Sequence, residues 1–255
     1  PVRGVIEREA KGVPTGLLKE SARQLVVRLV PEPTVADIAR RIDEETRKAA
    51  SFGIVLIQDA SGRAPEHAVL TILRAAAAAD TLRVRYRAAF PFTPDASVAT
   101  VRRYTMLRDS VNGPWLRFGI AKGMLDGTVD AKTAAMLEPY VGSDDTGLPF
   151  WPAATLNKGV ARYDSAGIQV ELHAIGDRAN REALDLFEAT FKAHPDKTGL
   201  RWRIEHAQIL HPDDIPRFGQ LGVIAAMQPT HCTSDMDWAD ERLGDERLPG
   251  AYAWR

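Results

Sequence analysis

Two apolar runs of this sequence end in a histidine. His173 closes the run IQVELH that begins at Ile168, and His206 closes the run RWRIEH that begins at Arg201. In a parallel α/β barrel the chemistry lies at the carboxyl ends of the strands, so histidines at the tips of two neighbouring strands would face one site. A lone histidine at a strand end is more often a half-buried, hydrogen-bonded side chain, but the pair favours a shared metal ion.

A lysine lies inside a third apolar run, between Trp115 and Leu125. Lys122 would be buried there, and a buried ammonium needs a partner or a function. The residues alone leave three interpretations open. Lys122 could react with CO2 to form a carbamate that bridges two metal ions, form a Schiff base with a carbonyl substrate, or form an ion pair with Asp126.

The elements that have to position these side chains alternate along the chain. Short apolar runs predict strands, and amphipathic segments between them predict helices, such as Thr34–Ala50 with Thr34 as its N-cap. Asp177 is likewise predicted to cap the helix Arg178–His194. Alternating strands and helices predict a parallel α/β sheet, which could be doubly wound with six strands, whereas a closed barrel needs eight. The predicted strands lie near Ile54, Leu82, Arg117, Val170, Trp202 and Val223.

Two stretches fall outside this alternation. Pro1–Gly16 contains three glycines and two prolines and has no clear period, so we expect a loop with only short strand character. Asp130–Pro152 is predicted to be a long connection, of the kind that holds lids and specificity elements at strand tips. We find no boundary between domains inside the chain.

Composition excludes several classes of partner. The 255 residues include 33 Lys and Arg against 34 Asp and Glu, a balance that provides no basic surface for nucleic acid or an anionic membrane. The single cysteine, Cys232, excludes an internal disulfide and a multi-cysteine zinc site. No run approaches the roughly 18 apolar residues of a membrane span. We therefore expect a soluble, cytoplasmic protein with a small-molecule substrate, and the sequence leaves homo-oligomerisation open.

Longer motifs connect the candidate residues. They occur in the order PTGLLKESA, GIVLIQDASG, KGMLDGTVDAKTAAMLEPY, ELHAIGDRANREALD, RIEHAQ and MQPTHCTSD. In this order they resemble amidohydrolase family 3, the YtcJ-like metal-dependent hydrolases of the amidohydrolase superfamily. The resemblance implies a (β/α)8 TIM-type metallohydrolase barrel, usually with a small β-sandwich domain built from the two termini.

The resemblance also implies roles for individual residues. By position in the motifs, Lys122, His173 and His206 would be metal ligands on barrel strands four, five and six, with Lys122 carbamylated. The metal would be one or two divalent ions, with zinc expected. Gln228 and His231, after strand seven, would bind the substrate. The implied reaction is hydrolysis of a C–N bond in an amide or cyclic amide by metal-activated water.

Two features of the family pattern have no counterpart in this sequence. The superfamily has a His-x-His pair on strand one and a proton-accepting aspartate on strand eight, and neither occurs here. We therefore expect residues 1–255 to form one partial barrel of strands two to seven, without the β-sandwich and with no assigned catalytic base. Impaired hydrolysis, weak metal binding and an unmodified Lys122 in the absence of metal would follow. The alternative is a non-catalytic barrel fragment with a structural or binding role.

Overall fold

The computed structural model describes residues 4–64, 67–197, 199–235 and 237–253. Strands β3 to β8 form one parallel sheet whose spatial order follows the chain, and β1 and β2 form a separate antiparallel pair. Strands β1 to β8 are Gly4–Arg8, Pro14–Glu20, Leu56–Asp59, Arg85–Pro91, Leu116–Met124, Gln169–Ala174, Arg203–His206 and Ile224–Ala226. Helices α1 to α9 are Gln24–Val27, Val35–Ser51, Ala68–Ala78, Val98–Ser110, Ala153–Ser165, Asp177–Ala193, Ile215–Leu221, Thr230–Asp235 and Ala239–Leu243.

Contacts between distant strands show that the parallel sheet is curled. Gln58 on β3 donates to Glu171 on β6 and accepts a hydrogen bond of 2.5 Å from Arg203 on β7. Three strands separate β3 from β7, so a flat sheet with a strand spacing of about 4.8 Å would hold them roughly 19 Å apart. Direct contact across that gap requires the sheet to bend towards itself. The six strands therefore form part of a barrel and not a flat doubly wound sheet.

Apolar helix faces cover the outer side of this sheet. In α6 the residues Ala183, Leu184 and Phe187 are buried, and the Phe187 ring packs edge-on against Trp202 with 5.0 Å between ring centroids. The predicted cap of α2 is confirmed, because Thr34 Oγ1 accepts the N–H of the third helical residue at 3.1 Å. No helix in the described ranges is long and apolar enough to span a bilayer.

The prediction of a loop at the start of the chain is wrong in part. In the described portion, β1 and β2 pair as an antiparallel hairpin, with Gly4 opposite Glu20. The turn is closed by a hydrogen bond of 2.9 Å from Glu9 N–H to Val13 O, and Gly12 supplies the positive φ of 81° that it needs. Both faces of the hairpin are largely accessible to solvent, so no one-sided hydrophobic pattern marks it in the sequence.

The start of α6 also differs from the prediction. The helix begins at Asp177 itself. The N-cap position is occupied by Gly176, which has no side chain that could form a capping hydrogen bond. Asp177 Oδ1 instead accepts the N–H groups of Leu137 at 2.8 Å and Arg178 at 2.9 Å. The carboxylate therefore joins the helix start to the long connection, which a cap prediction from the sequence alone does not reveal.

The long connection between β5 and α5 is an ordered cover over the strand tips. Residues 125–152 contain neither helix nor strand, as expected for most of this stretch. Its apolar side chains form a second core with residues that follow β6 and β7, and this core includes Val129, Ala134, Met136, Tyr140, Ile175 and Ile209. This packing fixes the loops around the ends of β5, β6 and β7.

Candidate metal site and substrate cavity

The structure brings the three predicted metal ligands together. Lys122, His173 and His206 line one cavity of about 570 Å³, and they lie on the neighbouring strands β5, β6 and β7. The rings of the two histidines meet edge to face, with 4.5 Å between their centroids. The convergence expected from the sequence is therefore present, and metal binding by these residues remains a prediction.

His173 is held by the backbone of the long connection. Its Nε2 lies 3.0 Å from the carbonyl oxygen of Gly127, and also 3.4 Å from Asp126 Oδ1. A carbonyl oxygen only accepts hydrogen bonds, so Nε2 is assigned the hydrogen and Nδ1 the lone pair. His173 therefore has Nδ1 available for a ligand such as a metal ion.

His206 has the opposite tautomer. Its Nδ1 lies 2.7 Å from Gln228 Oε1, and Gln228 Nε2 donates to the carbonyl of Ala226 at 2.9 Å, which fixes the orientation of the amide. The hydrogen is therefore on Nδ1 and the lone pair on Nε2. Burial, assisted by the neighbouring His173, lowers the pKa of His206 to about 3. The imidazole is consequently neutral at physiological pH, as metal ligation requires.

The backbone at His206 explains how its ring reaches the cavity. Arg203 and Glu205 point to the inside of the curled sheet, so regular alternation would direct the next side chain towards the helices. His206 has a φ of 78° and Ala207 a φ of 42°. This left-handed backbone interrupts the alternation and costs on the order of 1–3 kcal/mol per residue, a strain that is characteristic of functional sites.

Lys122 is buried beside two carboxylates. Its residual exposure is 9%, and burial lowers its pKa, while the charges of Glu171 and Glu205 act in the opposite direction. A lowered pKa increases the fraction of neutral amine, which is the form that reacts with CO2 or with a carbonyl group. The local chemistry therefore keeps both reactive interpretations of Lys122 open.

The third interpretation, an ion pair between Lys122 and Asp126, is wrong. Asp126 is fully buried, and its two carboxylate oxygens accept the backbone N–H groups of Ala135, Ile175 and Gly176 at 2.9, 3.1 and 2.8 Å. The carboxylate thus joins the long connection to the segment after β6, next to His173. Backbone N–H groups, and not the ammonium of Lys122, therefore satisfy the Asp126 carboxylate.

A polar layer lies inside the sheet below the cavity, and the sequence analysis does not predict it. Glu171 is fully buried, and burial together with the charge of Glu205 raises its pKa to about 7. Gln58 donates to Glu171 Oε2, and Arg203 forms an ion pair of 2.9 Å with Glu205. Among the described residues Glu171 Oε1 has no hydrogen-bond partner. The signal was available, because Glu171 precedes His173 by two positions and so shares its face of the strand.

Gln228 and His231 contact His206 and are not among the described residues that line the cavity. Gln228 holds the His206 ring by the hydrogen bond at Nδ1, and the His231 ring stacks against it with 5.0 Å between centroids. Substrate binding by these two residues remains a prediction. In the structure, both residues contact the ring of His206, a candidate metal ligand, and so orient it.

Asn180 joins the segments that follow β6 and β7. It is fully buried on α6, and its Nδ2 lies 3.2, 3.2, 2.9 and 3.1 Å from the carbonyl oxygens of Ala174, Ile175, Gly176 and Ile209. Two of these carbonyls also accept backbone N–H groups, Gly176 O from Asn180 at 3.0 Å and Ile175 O from Ile209 at 2.9 Å, and the amide adds two hydrogens to this group of acceptors. Asn180 therefore fixes the spacing of the two strand tips that carry the histidines.

The remaining cavity wall combines aromatic and polar groups. The aromatic side is formed by Phe92, Phe150 and Trp151, and the rim by Glu20, Ser21, Arg23 and Gln24. Glu20 ends β2 and the other three rim residues follow it, so the hairpin brings the start of the chain to the cavity. Such a site suits a small organic substrate with an apolar part.

Comparison with known proteins identifies the family. The whole chain, residues 1–255, matches the model of the Amidohydrolase family. The chain belongs to this family. The match confirms the resemblance noted from the motifs around Lys122, His173 and His206.

Individual members of the Amidohydrolase family are similar over nearly the whole chain. Protein LONG AFTER FAR-RED 3 of Arabidopsis thaliana is 31% identical over 97% of this chain and 43% of its own length. "Putative amidohydrolase YtcJ" of Bacillus subtilis is 29% identical over 100% of this chain and 47% of its own length. A crystal structure of an uncharacterized metal-dependent hydrolase from Pyrococcus horikoshii superposes with a TM-score of 0.77 and 26% identity, over 97% of this chain and 48% of the other. The chain thus spans less than half the length of each.

The ligands that this amidohydrolase chain offers a metal ion are few. Within the described ranges, no group of three or more histidine, cysteine, aspartate and glutamate side chains is arranged to hold a metal ion. A catalytic zinc site usually has about three protein ligands. The two imidazoles fit such a site, and Lys122, which lines the same cavity, could supply the third ligand after carbamylation.

Proposed function

We propose that this chain carries a metal-binding part of an enzyme that hydrolyses the C–N bond of an amide or cyclic amide. The observation that carries the proposal is the convergence of His173 and His206 beside Lys122 in one cavity, with His173 Nδ1 and His206 Nε2 left free by the hydrogen bonds that hold the two rings. Family membership and the similarity to a metal-dependent hydrolase support it. We also propose that the six strands correspond to strands two to seven of an eight-stranded barrel, and that the protein acts on a small molecule in the cytoplasm.

His173 and His206 would hold a divalent metal ion, with zinc the best match to two imidazoles. Carbamylated Lys122 would be the third ligand. When bound, the ion supplies a Lewis acid for the scissile carbonyl and an activated water as nucleophile.

The chain's own residues prepare this site. Gly127 O and Gln228 Oε1 each accept the hydrogen of one imidazole, so that the other nitrogen of each ring keeps its lone pair. Burial of Lys122 favours the neutral amine, which attacks CO2 with loss of a proton to form the carbamate. The aromatic wall excludes water from one side of the cavity, which strengthens the interaction of the site with a polar carbonyl.

The test combines metal binding with turnover. Zinc binding to the chelator-treated chain is measured by calorimetry, and hydrolysis of a panel of N-acyl amino acids, formamides and cyclic imides is then followed by amine release. We expect His173→Ala and His206→Ala to lower zinc affinity by at least about tenfold each. His67→Asn, at an exposed helix start, should bind zinc as the wild type does. Wild-type affinity in both alanine variants would contradict the proposal.

Carbamylation and Schiff-base chemistry at Lys122 give different products. In 13C-labelled bicarbonate with zinc, a carbamate carbonyl signal should appear in the NMR spectrum of the wild type and be absent from Lys122→Arg. Borohydride treatment with an aldehyde substrate should leave Lys122 unmodified. A stable borohydride adduct at Lys122 would instead indicate lyase chemistry through a Schiff base.

A further inference from the structure

Three arginines lie on the inner face of the curled sheet, at the end opposite the histidines. Arg87 on β4 is in register with Gln58 on β3 and with Arg117 on β5. Residues in register on neighbouring strands share a face, and Gln58 makes its contacts inside the curl, so Arg87 and Arg117 also face inwards. Arg85 precedes Arg87 by two positions on β4 and therefore points the same way.

No acidic side chain in the described part of the chain pairs with these arginines. Arg87 donates to the carbonyl of Tyr86 at 3.3 Å, and Arg117 donates to the carbonyl of Gly113 at 3.1 Å. Arg85 forms neither a hydrogen bond nor an ion pair with a described residue. Burial and the positive charges of Arg117 and Arg85 lower the pKa of Arg87. The three guanidinium groups therefore repel one another without a compensating carboxylate.

The carboxylates of the inner face lie nearer the histidines. Glu205 forms its ion pair of 2.9 Å with Arg203, and the charges of Glu171 and Glu205 act on Lys122. Lys122 follows Arg117 by five positions on β5, which corresponds to roughly 16 Å along a strand. The arginine cluster is therefore separate from the candidate metal site and from its two carboxylates.

Loss of a proton cannot relieve the repulsion within the cluster, because arginine stays protonated in proteins. A bound anion would compensate the charges instead. Arg85 and Arg117 are exposed and Arg87 is partly exposed, so a dissolved anion can reach all three side chains.

We propose that Arg85, Arg87 and Arg117 form a binding site for a phosphate group, carried by inorganic phosphate or by a small phosphate monoester. Such a group has a charge of about −1.5 to −2 at pH 7 and three strong acceptor oxygens, so it can accept hydrogen bonds from three guanidinium groups at once. A carboxylate has a single charge and two oxygens, and it matches one arginine. The site is independent of the proposed hydrolysis, because it lies at the other end of the strands.

The experiment measures anion binding to the chelator-treated full chain by calorimetry, in a phosphate-free buffer at constant ionic strength. We expect saturable binding of inorganic phosphate, and binding of acetate that is weaker by at least about tenfold. Methyl phosphate distinguishes the two sources of the group. Tighter binding of methyl phosphate than of inorganic phosphate indicates an ester as the ligand, and equal or weaker binding indicates free phosphate.

Variants of the cluster locate the site. Arg85→Gln and Arg87→Gln should each weaken phosphate binding by about tenfold, as expected for the loss of one charge-assisted hydrogen-bonding partner. Arg87→Lys should retain part of the affinity. Because Arg85 is exposed, its replacement leaves the packing of the sheet intact. Arg102→Gln, on the exposed surface of α4, should bind phosphate as the wild type does.

Four results would overturn the inference. The first is an absence of saturable phosphate binding by the wild type, and the second is wild-type affinity in both Arg85→Gln and Arg87→Gln. The third is a loss of affinity in Arg102→Gln as large as that in Arg87→Gln, which would indicate a general effect of net charge. The fourth is acetate binding as tight as phosphate binding, which would rule out selection for a phosphate group.

Discussion

At the scale of the residue, the candidate site depends on which nitrogen of each histidine carries a hydrogen. Gly127 O sets the tautomer of His173, and Gln228 sets that of His206. Gly127 is positioned as part of the long connection, and the Gln228 amide is positioned by its hydrogen bond to Ala226 O. Residues that orient a metal ligand in this way affect metal affinity almost as strongly as the ligands do.

Replacing Gln228 tests this orientation. Gln228→Leu removes the acceptor for His206 Nδ1–H and should weaken zinc binding by about 10- to 100-fold. Gln208→Leu is the matched control, because its amide bonds to Asp235 and not to a candidate ligand. Competition with a fluorescent zinc chelator measures both. Unchanged affinity in Gln228→Leu would show that the hydrogen bond does not prepare the ligand.

Glu171 predicts a pH dependence of stability. Its pKa is raised from 4.5 to about 7 in the folded chain, so the folded state binds more protons than the unfolded state between these values. The free energy of unfolding should therefore fall as the pH rises from about 4.5 to about 7. Urea titrations should show a smaller fall for Glu171→Gln, whereas the exposed substitution Glu241→Gln should leave the profile unchanged. An identical profile for Glu171→Gln would contradict the assignment.

At the scale of the element, the strands and helices could be predicted from the sequence, but several polar contacts could not. Short apolar runs and the Thr34 cap are local signals, and the structure confirms the six strands and α2. The partner of Asp126 is a set of backbone groups up to 50 positions away, and no local pattern encodes such contacts. The ring of His206 reaches the cavity because the alternation of the strand is interrupted there. This interruption is visible only in the backbone dihedral angles of the structure.

Glu20 connects the hairpin to the long connection and gives a test at this scale. Its carboxylate accepts the Thr133 hydroxyl at 2.6 Å, and its own backbone has a φ of 50°. Thr133→Val should release the hairpin, because the strained backbone of Glu20 then lacks this contact. Amide hydrogen exchange should become at least about fivefold faster in β1 and β2, as local opening is favoured by the loss of one hydrogen bond.

The control for this change is Thr190→Val. The Thr190 hydroxyl donates at 2.8 Å within α6 to Leu186 O, so its removal should leave exchange in the hairpin unchanged. Equal exchange in Thr133→Val and the wild type would mean that the Glu20 contact does not hold the hairpin in place.

At the scale of the whole molecule, the curled sheet gathers one end of β5, β6 and β7 around the candidate site. It also leaves apolar side chains exposed at β3, with Val55 at 68% and Leu56 at 42% exposure. Exposed edges of this kind tend to pair with other strands. The direction of the curl and the exposed edge follow from contacts between distant strands, so neither could be predicted from the six strands alone.

The exposed edge predicts association of the 255-residue chain. Light scattering after size-exclusion chromatography should show a mass that rises with protein concentration, because burial of the apolar edge stabilises the associated form. Val55→Lys should reduce this rise. Val98→Lys changes an equally exposed valine, at 72% exposure on α4, and should not. A concentration-independent monomeric mass for the wild type would contradict the prediction.

The assignment of Lys122, His173 and His206 as a metal site can be tested by diffraction from a single crystal. Anomalous diffraction at the zinc edge from a zinc-soaked crystal locates the ion independently of any activity. We predict a peak about 2.0–2.1 Å from both His173 Nδ1 and His206 Nε2, the usual zinc–nitrogen distance. A crystal without a peak between the two rings, or with zinc bound to His173 Nε2 in place of Gly127 O, would contradict the account.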